Sequence, residues 1–420
     1  MKKQKILVSL LIAGGLISPM AHATNGYFSH GYGIKSKGMA GVGVALPQDS
    51  LAAASNPAGM VMVGDRIDLG VDFFKPVRSS EVVSPAPGVS QNLSANEDSS
   101  FLIPEFGYNK MMNPDMSLGV TVYGNGGMNT SYSSQINLFG TSKAGMDMSQ
   151  LFIAPTWAMK LNPTNSVGVS LNLAYQMFKA NGLENFAGLA PGNYSSAPSS
   201  VTNLGYDHST GWGLRLGWAG QVTPDVTLGA TYQTKTKMSK FDKYKGLFAE
   251  QGGFDIPANF AVGMAFKATP TLTVAADLEK IQYSGIKSVT NPLMPALTIG
   301  SLGTNGGPGF GWTDQTVFKL GASYQYQPNL IVRAGYNHGS SPIPSSETLF
   351  NLIAPATVED HLTLGATWTL ENKGELSVAY MHAFSKTING VGSIPAGFGG
   401  GNANIKMYQD SIGVAYGWKL

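Results

Sequence analysis

The chain has 420 residues, 27 lysines and arginines against 25 aspartates and glutamates, and no cysteine. A net charge of +2 gives nothing for nucleic acid to hold, and the missing cysteines exclude disulfides, thiol catalysis and cysteine-held metals together. Charged residues are only 12%, about half the usual share of roughly 25%, while glycine, at 53 residues, is nearly twice its usual ~7%.

Met1 to Ala23 reads as a secretory signal peptide. Lys2, Lys3 and Lys5 give a positive start, Ile6 to Ile17 an apolar run of 12 residues, and Ala21-His22-Ala23 a small-x-small cleavage site. Twelve residues are too few to span a bilayer as a helix. The mature chain is expected to begin at Thr24. No later stretch approaches the ~18 apolar residues of a spanning helix. A membrane-spanning mature chain must therefore be a closed barrel, because lipid satisfies no open backbone group.

Residues 24–64 form the next unit. Gly38 to Val44 alternate glycine with small apolar side chains, until Pro47, Gln48 and Asp49 break the run. Ser50 suits a helix N-cap, and Asn56-Pro57-Ala58-Gly59 must end that turn, since the residue before proline is pushed out of the α region. The stretch is too apolar for a solvated linker and reads as a compact plug.

Residues 65–420 carry the transmembrane β signature of segments near ten residues with alternating polarity. Clear cases are Ile67, Leu69, Val71, Phe73; Trp212, Leu214, Leu216, Trp218; Phe260, Val262, Met264, Phe266; and Ile412, Val414, Tyr416, Trp418, Leu420. The positions between are mostly small or polar. Fourteen strands follow, the seventh over 225–241, the ninth over 271–287 and the last over 408–420. Every second connection is tiny and built from turn residues, such as Asn113-Pro114-Asp115 and Gln327-Pro328-Asn329. The others are long and rich in Gly, Ser, Pro and Asn. Strict alternation of short and long matches periplasmic turns and extracellular loops.

The run Lys37-Gly38-Met39-Ala40-Gly41-Val42-Gly43-Val44-Ala45, followed by Ser55-Asn56-Pro57-Ala58, resembles the N-terminal hatch of the FadL-type outer-membrane transporters. Arg333-Ala334-Gly335-Tyr336 with Ser341-Pro342-Ile343-Pro344, and Tyr380-Met381-His382, resemble later strands of that family. The resemblance implies an all-β transmembrane barrel of fourteen antiparallel strands with the hatch in its lumen. It implies passive outer-membrane transport of hydrophobic molecules, chiefly long-chain fatty acids or, as an alternative, aliphatic or aromatic hydrocarbons. It also makes the hatch residue Phe28 a lining of the inner pocket. Gly124, Asn125, Gly126 and Gly127 resemble the family's kinked third strand, where cargo would leave sideways; glycines inside a strand mark a bulge or a close backbone approach on their own account.

Other candidates come from the alternation itself. Asp68, Asp72, Lys160, Arg215, Lys235, Lys267, Lys319, Arg333, Asn337 and His361 are expected toward the lumen, since a lysine or arginine on the lipid face costs roughly 2–4 kcal/mol near the midplane. Arg333 and Lys319, on neighbouring strands, are the first candidates to hold a carboxylate, with Arg215 third. Leu183, Phe186, Leu189 and Tyr194 in one loop, and Tyr244, Leu247, Phe248 and Phe254 in the next, point to an outer apolar groove; Phe186, Leu247 and Phe248 are its chief candidates. A lipid-acting barrel enzyme is the alternative of another class, and His338 with Ser340 and Ser341 is the nearest approach to its machinery. The expected partners are a hydrophobic small molecule and outer-membrane lipid, with no cofactor, no nucleic acid and a single barrel per unit.

Overall fold

The computed structural model describes residues 25–188 and 193–420. The expected leader and Leu189 lie outside the described residues. All strands join one antiparallel sheet. In chain order its wall strands are β1 (Arg66–Val83), β2 (Phe101–Asn113), β3 (Met116–Ser131), β4 (Gly145–Asn162), β5 (Asn165–Asn181), β6 (Asp207–Thr223) and β7 (Val226–Gln233). They continue as β8 (Asn259–Lys267), β9 (Leu272–Ile281), β10 (Gln315–Gln327), β11 (Leu330–Gly339), β12 (Asp360–Thr369), β13 (Glu375–Ile388) and β14 (Asn402–Lys419). Each pairs with its neighbour in sequence, and β14 pairs with β1 from Arg66↔Lys419 to Val83↔Asn402. The sheet thus closes as a fourteen-stranded barrel. Two further short strands, Gln91–Ser94 on β1 and Lys237–Met238 on β6, ride at its loop end.

Alternation explains the closure. Val71 and Phe73 are 41% and 40% exposed while Asp72 between them is 3% exposed. On β8, Phe260, Val262, Met264 and Phe266 are exposed while Ala261 and Ala265 are buried. A large apolar side chain facing out beside a buried acid facing in is the pattern lipid demands, with every backbone group paired around the ring.

Several expected boundaries move. β7 ends at Gln233 rather than at 241, because the chain turns back and Lys237–Met238 pairs with Gly211 and Trp212 of β6. β9 ends at Ile281 because Tyr283–Gly285 turns and Lys287–Thr290 coils. β14 starts earlier, at Asn402, because β1 and β13 both extend beyond the membrane-crossing part to pair with it.

Residues 25–64 precede β1 and pack inside the wall. They hold two helical turns, α1 (Ile34–Lys37) and α2 (Met60–Val63), with 3-10 turns at Ala52–Ala54 and Pro57–Gly59. Wall glycines make the room. A Cβ at Gly365 would meet the Gly38 Cα at 2.9 Å, one at Gly335 the Met39 carbonyl carbon at 2.5 Å, and one at Gly217 the Asn56 Oδ1 at 1.9 Å. Much of the glycine excess is therefore lumen clearance.

The inward charges anchor the same segment. Glu105 accepts from the Gly33 and Ile34 amides at 3.2 and 2.9 Å, at the start of α1. Asp277 accepts from the Gly43 and Val44 amides at 2.8 and 3.1 Å. Lys37 pairs with Asp72 at 2.8 Å, and Lys35 and Arg66 converge on Glu375 at 2.5 and 2.9 Å. Buried charges survive only when paired and hydrogen-bonded, and here each pairing holds the segment or the wall beside it.

Candidate functional site

The Asn56-Pro57-Ala58 turn is built as a staple. Pro57 stands at the first position of its 3-10 turn, and the Asn56 Oδ1 accepts from the Ala58 amide at 3.1 Å. The Asn56 Nδ2 donates to the Val44 carbonyl at 2.7 Å and to the Trp218 carbonyl at 2.9 Å. One side chain thus caps its own turn, closes the segment on itself and ties it to β6. Arg215 supports it by donating to the Ser55 carbonyl at 3.2 Å, with Gln233 on its other branch at 2.6 Å.

The third strand breaks where its glycines cluster. β3 pairs with β4 up to Gly124↔Leu151 and resumes at Gly126↔Gln150, so Asn125 is the bulged residue. On the other edge, β2 pairs with β3 only from Asn113↔Met116 to Phe106↔Val122. Beyond Val122 the two strands separate until Asn96 bridges Ser131. Residues 27–29 occupy the free edge instead. Gly127 donates to the Tyr27 carbonyl at 2.9 Å, Ser29 donates to the Asn125 carbonyl at 3.1 Å, and Phe28 bridges Gly126. From Tyr123 to Met128 both faces of β3 are buried. This stretch runs inward of the wall, and only glycine fits at 126, where a Cβ would lie 1.8 Å from the Tyr27 oxygen.

Phe28 and Tyr27 belong to one aromatic cluster that leads to the outer loops. Ring centroids step from Phe28 to Tyr27 at 5.4 Å, Tyr27 to Phe254 at 6.0 Å, Phe254 to Phe248 at 4.9 Å and Phe248 to Phe178 at 4.6 Å. A cavity of about 30 Å³ lies at the loop end, lined by Phe139, Phe178, Phe186, Leu247, Phe248 and Phe350 among others. The expected outer groove is corrected here. Phe186, Leu247 and Phe248 do converge, but the long loops pack over them, and Phe186 and Phe248 are only 1% and 4% exposed. The residues line a partly covered pocket beneath the loops rather than an exposed groove.

The candidate cations separate along the barrel axis. Lys319 sits opposite Asn337, whereas Arg333 sits opposite Ser323, four residues further along β10. At ~3.3 Å per residue that is roughly 13 Å. Lys319 pairs with Glu279 at 2.9 Å. Arg333 donates to Gln48 of the segment at 2.8 Å and to Thr367 at 2.7 Å. The two do not form one site. Asp68, Asp72, Asn337 and His361 are buried on the lumen side as expected. Lys160, Lys235 and Lys267 are not: Lys160 donates to the Pro114 carbonyl in a turn at 2.7 Å, Lys235 pairs with Asp255 at 3.4 Å, and Lys267 is exposed at the end of β8. They sit at strand ends, where parity no longer decides which way a long side chain points.

Tyr283, Phe310, Trp312 and Phe350 join the cluster unannounced. Trp312 lies 5.9 Å from Tyr27 and 5.1 Å from Tyr283. Their signal was available, since an aromatic in a Gly/Ser loop needs a reason wherever it occurs. His338 is engaged by Asp360 at 2.8 Å, and Ser341 Oγ donates to the Ala356 carbonyl at 3.3 Å, so this group is held as part of the wall.

A closed membrane barrel with an apolar aromatic cluster leading inward from its loop end and an interrupted wall is a channel for hydrophobic compounds in the outer membrane. The chain belongs to the outer membrane protein transport protein family (OMPP1/FadL/TodX), whose model matches residues 16–391. Transport, not catalysis, characterises that family. Many solved structures share the fold, among them the following three. The P. putida toluene transporter TodX superposes with a TM-score of 0.69 at 17% identity, covering 93% of this chain and 99% of that one. The Ralstonia pickettii toluene transporter TbuX gives 0.65 at 18%, covering 93% and 99%. A Pseudomonas aeruginosa FadL homologue gives 0.70 at 16%, covering 94% and 99%. No curated protein sequence matches the chain.

Proposed function

We propose that this chain carries long-chain fatty acids passively across the outer membrane, with residues 24–64 as a hatch and residues 1–23 as a leader removed first. The observation that carries this reading is the unbroken aromatic cluster from the loop pocket to Phe28 at the free edge of β3. Cargo enters among Phe186, Leu247 and Phe248 and moves inward past Phe254. The hatch shifts about its Asn56-Pro57-Ala58 staple, and cargo leaves sideways past Gly124, Asn125, Gly126 and Gly127. Lys319 is the candidate for the carboxylate while the tail is inside; Arg215 and Arg333 act on the hatch.

Sideways release follows from the cargo. An acyl tail of about eleven apolar carbons costs roughly 9 kcal/mol to place in water, at ~0.8 kcal/mol each. A route into lipid avoids that barrier and needs no energy source beyond a gradient. A second reading, aromatic hydrocarbon, is favoured by the density of rings along the route and by the toluene named for two of the similar structures.

The test is uptake of labelled dodecanoate and toluene into cells whose own outer-membrane route for each has been deleted. Dodecanoate entry above toluene entry supports the first reading. Toluene alone moves the cargo to the second. Neither, together with lipid hydrolysis by purified protein, would replace transport with the enzyme alternative.

A further inference from the structure

Resting on the sideways route above, we infer that Arg78 is a binding site for the carboxylate of the departing acyl chain. Arg78 lies on β1, one of the largest fully buried side chains, at 1% exposure. It faces inward, in step with Asp68, Asp72 and Phe74. Its guanidinium does not stay with its own strand. The Nη1 donates to the Asn129 carbonyl and, at 2.8 Å, to the Asn129 Oδ1, on β3. The Nη2 donates to the Asp98 carbonyl at 2.8 Å. The side chain therefore crosses the stretch where β2 and β3 are not paired, near its Asn96–Ser131 limit.

All three acceptors are neutral, and no carboxylate forms an ion pair with Arg78 among the described residues. The Nε is buried and has no hydrogen-bond partner among them. Arg215 and Arg333 are likewise buried on neutral acceptors, and Arg215 Nε is also unpartnered, but those two hold the segment of residues 25–64, whereas Arg78 stands at the gap between β2 and β3. The other buried basic side chains named above as ion-paired, Lys35, Lys37, Arg66 and Lys319, each have an acid. A buried guanidinium with a spare donor is costly unless an anion completes it. The Nε and Nη2 form one edge of the guanidinium, the edge that takes a carboxylate in a two-pronged grip. An incoming carboxylate would accept a hydrogen bond from the Nε–H and replace the Asp98 carbonyl as acceptor on Nη2. Asp98 is exposed on the connection before β2 and free to give way.

The surroundings suit a tail. Phe101 and Ile103, on the part of β2 that leaves β3, are buried facing inward. Met128 is buried across the gap, and Phe28 sits at Gly126. Two apolar clusters, one with Phe101 and Ile103 and one with Phe28 and Met128, flank the gap, while the Asp98 and Asp147 carboxylates also act on Arg78 and would compete with an incoming head group.

The experiment compares binding of dodecanoate and dodecane to detergent-purified wild type, Arg78→Gln and Arg78→Lys, with melting checked for each. Dodecanoate binding should weaken about tenfold or more in Arg78→Gln and less in Arg78→Lys, while dodecane binding stays unchanged. In crystals of the wild type soaked with a terminally brominated dodecanoate, the carboxylate should lie on the Arg78 edge, which keeps the idea testable if the variants fail to fold. Equal dodecanoate binding by wild type and Arg78→Gln, or a carboxylate seen elsewhere, overturns the inference and leaves the transport reading standing. Wild type that binds neither compound sinks the transport reading first. Lipopolysaccharide that competes with dodecanoate in wild type and not in Arg78→Gln would give the site to a lipid phosphate and overturn the cargo assignment.

Discussion

Placing alanine at Gly126 is the sharpest probe of the hatch contact. The new Cβ would sit 1.8 Å from the Tyr27 oxygen and 2.8 Å from its carbonyl carbon. Neither is a flexible side chain, so the backbone of residues 27–28 must retreat by roughly 1.7 Å to reach an ordinary contact near 3.5 Å. That retreat breaks the Gly127–Tyr27 hydrogen bond of 2.9 Å and strains the Ser29–Asn125 bond of 3.1 Å. At about 0.5–1.5 kcal/mol each, the loss is about 1–3 kcal/mol of local stability. The displaced hatch end should then be populated about 5- to 150-fold more than in wild type. β3–β4 pairing lies on the other edge and should hold, so the heat-modifiable barrel and its melting midpoint should change little. Hydrogen exchange read by mass spectrometry should speed up in residues 27–29 and 125–127, and dodecanoate should bind more weakly and escape faster. Unchanged exchange in both stretches would mean that the close contact is relieved elsewhere and that the hatch end does not depend on this edge.

Asn56→Ala removes a cap and leaves the Val44 and Trp218 carbonyls without their donor. About 2–4 kcal/mol of hatch stability should go, read as faster exchange over residues 43–64 with the wall unaffected. Lys319→Ala should weaken dodecanoate more than toluene, whereas Arg333→Ala should weaken both alike by loosening Gln48; equal effects of the two variants on dodecanoate alone would return Arg333 to the cargo site. His30, on the hatch, is held well below its ordinary pKa by burial first and then by Lys37, His361 and Lys319. A base depressed in the folded state binds fewer protons there than when unfolded, so stability is present above the unfolded value near 6.5 and falls as pH drops through it. Hydrogen exchange over residues 25–45 should quicken between about pH 7.5 and pH 5 beyond its intrinsic pH dependence, and by less in His30→Gln; an identical change in both would remove His30 from the account.

The barrel was legible because lipid enforces a local rule. Phe260, Val262, Met264 and Phe266 declare their face without knowledge of any partner, and Pro-Asn or Pro-Asp turns mark which end is which. The NPA turn and the β3 glycines carried a backbone reason in the sequence, whereas Phe28 was marked only by the family resemblance. Height along the axis was not. Parity places Lys319 and Arg333 on the same side of the wall and says nothing of the four-residue offset between them, which depends on turn geometry and register. Loop packing was hidden for a related reason. Phe186, Phe248, Phe310 and Phe350 come from four loops, and only the closed ring brings them to one cavity. Arg78 was not singled out by the alternation, because its meaning lies in a pairing that β2 and β3 fail to make.

That failure sets the terms of gating. In lipid an unpaired strand edge is expensive, since no water replaces the missing partner. β3 leaves its edge open beyond Val122, and the hatch fills it with two backbone hydrogen bonds and the Phe28 bridge. In the proposed sideways route, withdrawing residues 27–29 would uncover the edge and release cargo in a single movement. The uncovered donors and acceptors resist that movement when no cargo is present. An acyl chain arriving along Phe254 and Tyr27 competes for the apolar contacts of Phe28 while leaving the backbone groups to re-pair or hydrate. The balance is then between about 1–3 kcal/mol of hydrogen bonding and ~0.8 kcal/mol for each methylene that finds apolar surface. A few methylenes suffice to tip it, so long chains should open the edge more readily than short ones, and the resting barrel should stay shut to water.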